Sequence, residues 1–231
     1  MKVAVITGGS KGIGYSVAES LLKEGYCVAI TSRNITSANE AASKLVTFGD
    51  VLAIEADVKD YQSQQDAINL VIEKWGQIDV LIANAGVGAF ASIEDLTIDD
   101  WNETIDTNLT GVFYSIKASL DAIKKTKGYI FTISSLAGTN FFAGGSAYNA
   151  SKFGLTGFTQ AVMLDLRKHG IKVSTIMPGS VATYFNDHQP DQEKDSWKIQ
   201  PEDIGELVVS MLKMPTRTLP SKVEIRPTTP Q

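Results

Sequence analysis

Apolar and polar residues fall along this chain in alternating blocks. Seven short apolar runs stand at positions 3–7, 28–32, 51–55, 80–84, 129–134, 173–177 and 223–226, several of them nearly continuous in Val and Ile. Such runs suit strands covered on both faces of a parallel sheet, where neither face favours polar side chains. Between them the spacing becomes helical: Ile13, Val17, Leu21 and Leu22 form one apolar stripe, and Ile68, Val71, Ile72 and Trp75 another. Regular alternation of the two patterns predicts a doubly wound α/β domain. No repeat, low-complexity tract or Pro/Gly linker interrupts it, so residues 1–231 are expected to form one domain.

One stretch breaks the rhythm. From 182 to 200 the chain is rich in Asp, Gln and Lys, yet carries Tyr184, Phe185 and Trp197. A long polar insertion after a strand's carboxyl end, ahead of a last helix at 201–213, is expected to serve as a substrate lid. With few apolar side chains to hold it, the lid is expected to move in the free protein.

Composition narrows the function classes. Hydrophobic residues make up 43% of the chain and mean hydropathy is −0.01, which suits a sizeable core. A net charge of −5 and a pI near 5.1 argue against a nucleic-acid partner. The basic cluster Lys124, Lys125 and Lys127 reads as a solvated helix end. Cys27 is the single cysteine, so no internal disulfide can form, and its apolar surroundings mark it as a small buried residue. The opening apolar run is too short for a membrane span or a signal core. A cytoplasmic protein with no membrane partner and no metal is expected.

The first apolar run leads into Thr7-Gly8-Gly9-Ser10-Lys11-Gly12-Ile13-Gly14 and then a helix. Glycines between a strand and a helix let a pyrophosphate approach backbone N–H groups, and the helix dipole favours its charge. The end of the second strand chooses between the two nicotinamide cofactors: an acid there accepts from the ribose hydroxyls of NAD and repels a 2′-phosphate. Here it reads Thr31-Ser32-Arg33-Asn34, without a carboxylate. Arg33 can fork onto a phosphate and Lys11 can meet the same group, which favours NADP(H).

Three more segments carry candidate chemistry. Asn84-Ala85-Gly86 follows the fourth run, Ser134-Ser135 follows the fifth, and Tyr148 precedes Lys152 by one helical turn. A free tyrosine titrates near pH ~10. An ammonium one turn away favours the phenolate, so Lys152 is expected to lower the Tyr148 pKa and make proton exchange with an alcohol or carbonyl feasible.

With these motifs in this order, the chain resembles the short-chain dehydrogenase/reductase family in its NADP(H)-preferring branch. The resemblance runs from the glycine loop to about Met214. It implies a single-domain Rossmann-type fold, a seven-stranded parallel sheet with helices on both faces. It implies that Tyr148 exchanges the proton, Ser135 holds the substrate oxygen, Lys152 binds the nicotinamide ribose, and Asn108 holds a water serving Lys152. Ser135 is chosen over Ser134 because it stands thirteen positions before Tyr148. Cofactor contacts are implied for Gly8, Ser10, Lys11, Gly12, Ile13, Gly14, Arg33, Asn84, Ala85, Gly86, Tyr148 and Lys152. Asp57 and Val58 would meet the adenine, and Val181 and Thr183, after Pro178-Gly179, the carboxamide. Many relatives are homodimers or homotetramers built on helices at 101–125 and 147–168 of this chain.

The expected substrate is a small carbonyl or alcohol compound in an apolar pocket. Its candidate walls are Ser135, Leu136, Phe142, Tyr184 and Phe185, with Val87, Phe90 and Phe141 nearby. An alternative is a 3-oxoacyl-carrier-protein reductase or a 3-hydroxy acid dehydrogenase. The latter needs a cation facing the carboxylate, for which Lys194, Lys198 and Arg217 are candidates. A more remote alternative, a non-catalytic NADP(H)-binding regulator, would be expected to lose Tyr148 or Lys152. Both are present.

Overall fold

The computed structural model of the chain describes residues 1–230, apart from the side chain of Asp187. Gln231, the last residue of the expected domain, lies outside the described residues. Seven parallel strands form one sheet in the order β3-β2-β1-β4-β5-β6-β7. They are β1 (Val3–Thr7), β2 (Cys27–Ser32), β3 (Val51–Glu55), β4 (Val80–Ala83), β5 (Tyr129–Ile133), β6 (Lys172–Pro178) and β7 (Lys222–Ile225). Among the described residues seven α-helices connect them: α1 (Gly12–Lys23), α2 (Ile35–Leu45), α3 (Tyr61–Trp75), α4 (Ile98–Ile105), α5 (Gly111–Thr126), α6 (Ser146–Leu166) and α7 (Pro201–Lys213).

Alternate strand residues feed two separate cores. Val3, Val5, Ala29, Leu81, Ile130 and Val173 pack with α3, α5 and α6. Ala4, Ile6, Val28, Ile82, Phe131 and Ile176 pack with α1, α2 and α7. Both sheet faces are therefore covered, which is why the strand runs lack polar alternation. Both helical stripes face these cores, with Val17, Leu21, Leu22, Ile68 and Val71 buried. The basic cluster forms the last turn of α5, with Lys127 in the left-handed region at φ 52°.

Three strands, β4, β5 and β7, end one residue earlier than their apolar runs. Asn84 follows β4 and Ser134 follows β5, and each of these two side chains turns back to bond a neighbouring segment. The order reverses about β1, so chain excursions from β1 and β4 leave in opposite directions and open a crevice at their carboxyl ends. Among the described residues no helix is long and apolar enough to cross a membrane.

Helix α1 is held against α7 at very close range. A Cβ on Gly205 would lie 2.3 Å from the Ser20 hydroxyl and 2.9 Å from the Ser16 carbonyl. Gly205→Ala is therefore expected to destabilise the fold by about 1–3 kcal/mol through overpacking. Urea unfolding checks this, and adding Ser20→Gly should restore part of the loss. An unchanged midpoint in the single variant would mean that the helices separate freely.

Candidate active site

The crevice between β1 and β4 is closed by hydrogen bonds from one carboxamide. Asn84 Nδ2 donates to the carbonyls of Thr7 at 2.9 Å and Gly8 at 3.1 Å. In return the Thr7 hydroxyl accepts from the backbone N–H groups of Asn84 and Ala85, at 3.0 and 3.1 Å. The loop after β4 is thus bolted to the glycine loop. Thr7 opens the glycine-loop motif in the sequence, but no role was assigned to it there, since local spacing does not show what a Thr hydroxyl at a strand end will meet. Gly8 holds φ +65°, a conformation that side chains rarely tolerate, and a Cβ on Gly14 would strike Gly8 O and Asn84 Nδ2 at 2.5 Å. Asn34, Asp60 and Thr97 cap α2, α3 and α4 with their side chains, and Gln200 with Asp203 closes a capping box on α7. α1 has no side-chain cap and no acid in its first turn. Its first N–H groups are left to an outside acceptor, which fits the diphosphate of a dinucleotide.

Beyond Asn84 the loop passes Gly86, where a Cβ would lie 3.2 Å from Asn108 Oδ1 and 3.7 Å from Lys152 Nζ. Asn108 is fully buried in a π-helical turn (Asp106–Thr110) between α4 and α5. It accepts from Val87 N–H at 2.8 Å and donates to Val87 O at 2.8 Å and to the Ser151 hydroxyl at 3.0 Å. The extra residue of the π-turn coincides with this reach across to α6, a frequent feature of functional sites. Ser151 was not anticipated either.

Lys152 is buried, and its ammonium donates to Ile133 O at 2.9 Å. Burial pulls its pKa down to about 8. Its nitrogen stands 5.6 Å from the centre of the Tyr148 ring. Contrary to the expectation for the free protein, the Tyr148 pKa is raised: burial pushes the phenol up, and the Ser135 hydroxyl pulls the other way. Desolvation outweighs the Ser135 hydrogen bond. The two serines divide clearly. Ser134 is buried, its hydroxyl 3.0 Å from that of Thr156 and donating to Lys152 O at 3.3 Å. Ser135 is partly open, accepts from Ala137 N–H at 3.1 Å and donates to Pro178 O at 3.4 Å.

Aromatic rings surround the phenol. Phe90 stands 5.4 Å from the Tyr148 ring and Phe185 5.7 Å, and Phe142 packs on Phe90 at 5.8 Å. Leu136 packs near Gly179, beside the crevice. Two candidate walls stand apart from these aromatic pairs. Phe141 is 86% exposed, while Tyr184 turns toward Lys11, whose ammonium lies 6.0 Å from its ring. Thr183 lies against Gly12 and accepts from Phe185 N–H at 3.4 Å, so the segment after β6 reaches back over the glycine loop.

The 182–200 segment has an internal anchor that its composition concealed. Val181 bridges to Ile199, and Ala182 and Ile199 are buried. Asp195 is also buried, accepting from Lys198 at 2.7 Å and Asp191 N–H at 3.0 Å, with His188 Nε2 at 2.6 Å. Lys198, then Asp191 N–H and His188, hold its carboxyl well below the usual range. No spacing rule singles out this polar centre, because it exists only once the loop has curled.

At the opposite end, Arg33 Nη1 bonds Glu103 at 2.9 Å, and the Lys11 ammonium lies 6.0 Å from the centre of the Tyr184 ring. Val58 is buried with its side chain against Gly111, and the Asp57 carboxylate accepts from Lys59 N–H at 2.9 Å. Among the described residues no group of three or more His, Cys, Asp and Glu is placed to hold a metal.

Known proteins agree with this architecture. The short chain dehydrogenase family profile matches residues 2–194. A trans-4-hydroxycyclohexanecarboxylate dehydrogenase from Sinomonas cyclohexanicum is 36% identical over 79% of this chain and 73% of its own. An alcohol dehydrogenase from the archaeon Thermococcus sibiricus, solved with 5-hydroxy-NADP, superposes with a TM-score of 0.94 at 30% identity, over 100% of this chain and 99% of that one. A glycine betaine reductase from Emericella nidulans is 31% identical over 98% of this chain, which spans only 19% of that protein. The chain belongs to the short chain dehydrogenase family of oxidoreductases.

Proposed function

We propose that this chain reduces an apolar, uncharged carbonyl compound with NADPH. One observation carries the reading: a Tyr148 phenol beside Ser135 and the buried Lys152, at the strand ends next to an uncapped α1. The nicotinamide would supply the hydride. The raised Tyr148 pKa keeps the phenol protonated at neutral pH, the form that donates to a carbonyl oxygen. Ser135 would hydrogen-bond the same oxygen and stabilise charge developing there. Lys152 would hold the nicotinamide ribose, its remaining N–H bonds being free of protein carbonyls other than Ile133 O. Asn108, bonded to Val87 and Ser151, would fix the turn beside Lys152 and hold a water that serves it.

The Phe90, Phe142 and Phe185 rings favour an apolar substrate over a carboxylate. Lys198, a cation the 3-hydroxy acid reading needs, is bound to Asp195, and Lys194 and Arg217 are exposed on the surface. For an oligomer, Trp101, Phe113, Phe153 and Leu164 give helices α4–α6 exposed apolar side chains on which a second copy can pack.

NADPH oxidation against aldehydes, ketones, 3-oxo acids and 3-oxoacyl thioesters tests the substrate class, with apolar ketones or aldehydes expected to turn over best. Tyr148→Phe is expected to lower kcat more than tenfold, above ~1.4 kcal/mol, with NADPH binding changed only a few-fold. Ser135→Ala should be severe and Ser134→Ala mild; the reverse order would show the wrong serine to be catalytic.

Lys152 carries a stability cost that function requires. Because its folded pKa lies near 8, below the unfolded value, the folded protein releases this proton first as pH rises. Lys152→Met should therefore stabilise the free protein at pH 7 by about 1–3 kcal/mol while abolishing turnover. The gain should shrink as pH climbs from about 8 towards the unfolded lysine value. Urea midpoints at pH 7 and pH 10 decide; a variant less stable at pH 7 refutes the burial cost.

The 182–200 segment is the proposed lid, with Asp195 as the anchor that keeps it shaped between turnovers. Asp195→Ala is expected to reduce hydrogen-exchange protection across 188–200 and to raise KM more than it lowers kcat. Unchanged protection would make the anchor irrelevant to the lid.

A further inference from the structure

Glu103, on α4, gathers charge from two other elements. Arg33, just beyond β2, donates through Nη1 to its Oε1 at 2.9 Å, and Lys59, from the loop after β3, donates to its Oε2. Thr107 adds a longer contact, 3.4 Å, to Oε1. All three charged side chains are partly open to solvent: Arg33 55%, Lys59 31% and Glu103 37% exposed. Exposed pairs of this kind contribute little to folding, so the cluster is not explained by stability. Its place is telling. Arg33 closes the strand end that reads the adenosine ribose in dinucleotide folds, and Lys59 follows Asp57 and Val58 on the adenine side.

We propose that Glu103 is an internal anion that occupies the Arg33 guanidinium until the cofactor's 2′-phosphate displaces it, and that this carboxylate thereby sets how strongly NADPH is preferred over NADH. The proposal rests on the reading of Arg33 as the 2′-phosphate contact.

A guanidinium fork fits a carboxylate and a phosphate alike, and the dianion attracts it more strongly than the monoanion. Lys59 makes the exchange feasible. When Arg33 leaves for the phosphate, Glu103 keeps one cation and does not face the dianion as a bare charge. NADH brings no phosphate and leaves the Arg33–Glu103 pair intact. The acid absent from the end of β2 is in effect supplied from α4, where it tempers the preference for NADPH without abolishing it.

Calorimetric binding constants for NADPH and NADH on wild type, Arg33→Ala, Glu103→Gln and the double variant test this. Glu103→Gln is expected to tighten NADPH about three- to fivefold, the worth of an exposed ion pair, and NADH by less than about twofold. The gain should vanish in the Arg33→Ala background. Glu103→Gln weakening NADPH, tightening both cofactors alike, or acting equally without Arg33 would overturn the proposal. In those failures Arg33→Ala still weakens NADPH more than NADH, so the phosphate reading of Arg33 stands without the proposal. If Arg33→Ala weakens NADPH and NADH equally, the phosphate reading of Arg33 fails and the proposal with it.

Discussion

A buried ammonium constrains this site more than any other group. Lys152 gives up water for one protein acceptor, the Ile133 carbonyl at the end of β5, and its depressed pKa measures that loss. An ion in that position demands a rigid cage. Asn108 is bonded to Val87 and Ser151, Ser134 to the backbone of Lys152 itself, and Gly86 leaves space that any side chain would fill. Each contact fixes a segment from a different part of the chain against α6. An ammonium carries three N–H donors, so one carbonyl leaves Lys152 the capacity for the ribose contact proposed above.

The cage can be rigid because the sheet beneath it is covered on both faces. Two cores hold α1 and α7 on one side and α3, α5 and α6 on the other. The helix that opens after the glycine loop and the helix that carries Tyr148 therefore lie on opposite faces, and they can cooperate only past the strand ends. Asn84 makes that junction. By bonding Thr7 and Gly8 it ties the glycine loop to the loop that passes Asn108 and Lys152.

Sequence reasoning reached whatever depends on local spacing. The strand runs, the glycine loop and the Tyr148–Lys152 pair each lie within one element or one turn, so periodicity and turn chemistry expose them. It missed interactions that join distant segments. Arg33 and Glu103 are 70 positions apart, and nothing local marks either as the other's partner. The approach of Lys11 to the Tyr184 ring joins segments 173 positions apart in the same way. The anchor at Asp195 was hidden because a run of Asp, Gln and Lys looks solvated until one carboxylate is turned inward.

The Tyr148 pKa was the instructive reversal. A cation one turn away lowers a phenol's pKa only if desolvation is the smaller effect, and here the phenol is enclosed by Phe90, Phe185 and its own helix. A pair can be read from spacing, but the sign of a shift depends on what else crowds the site. The aromatic enclosure that suits an apolar substrate also holds the proton on Tyr148. On the proposed function, substrate preference and proton donation would be two consequences of the same packing, and an opening of that enclosure that admits water would weaken both.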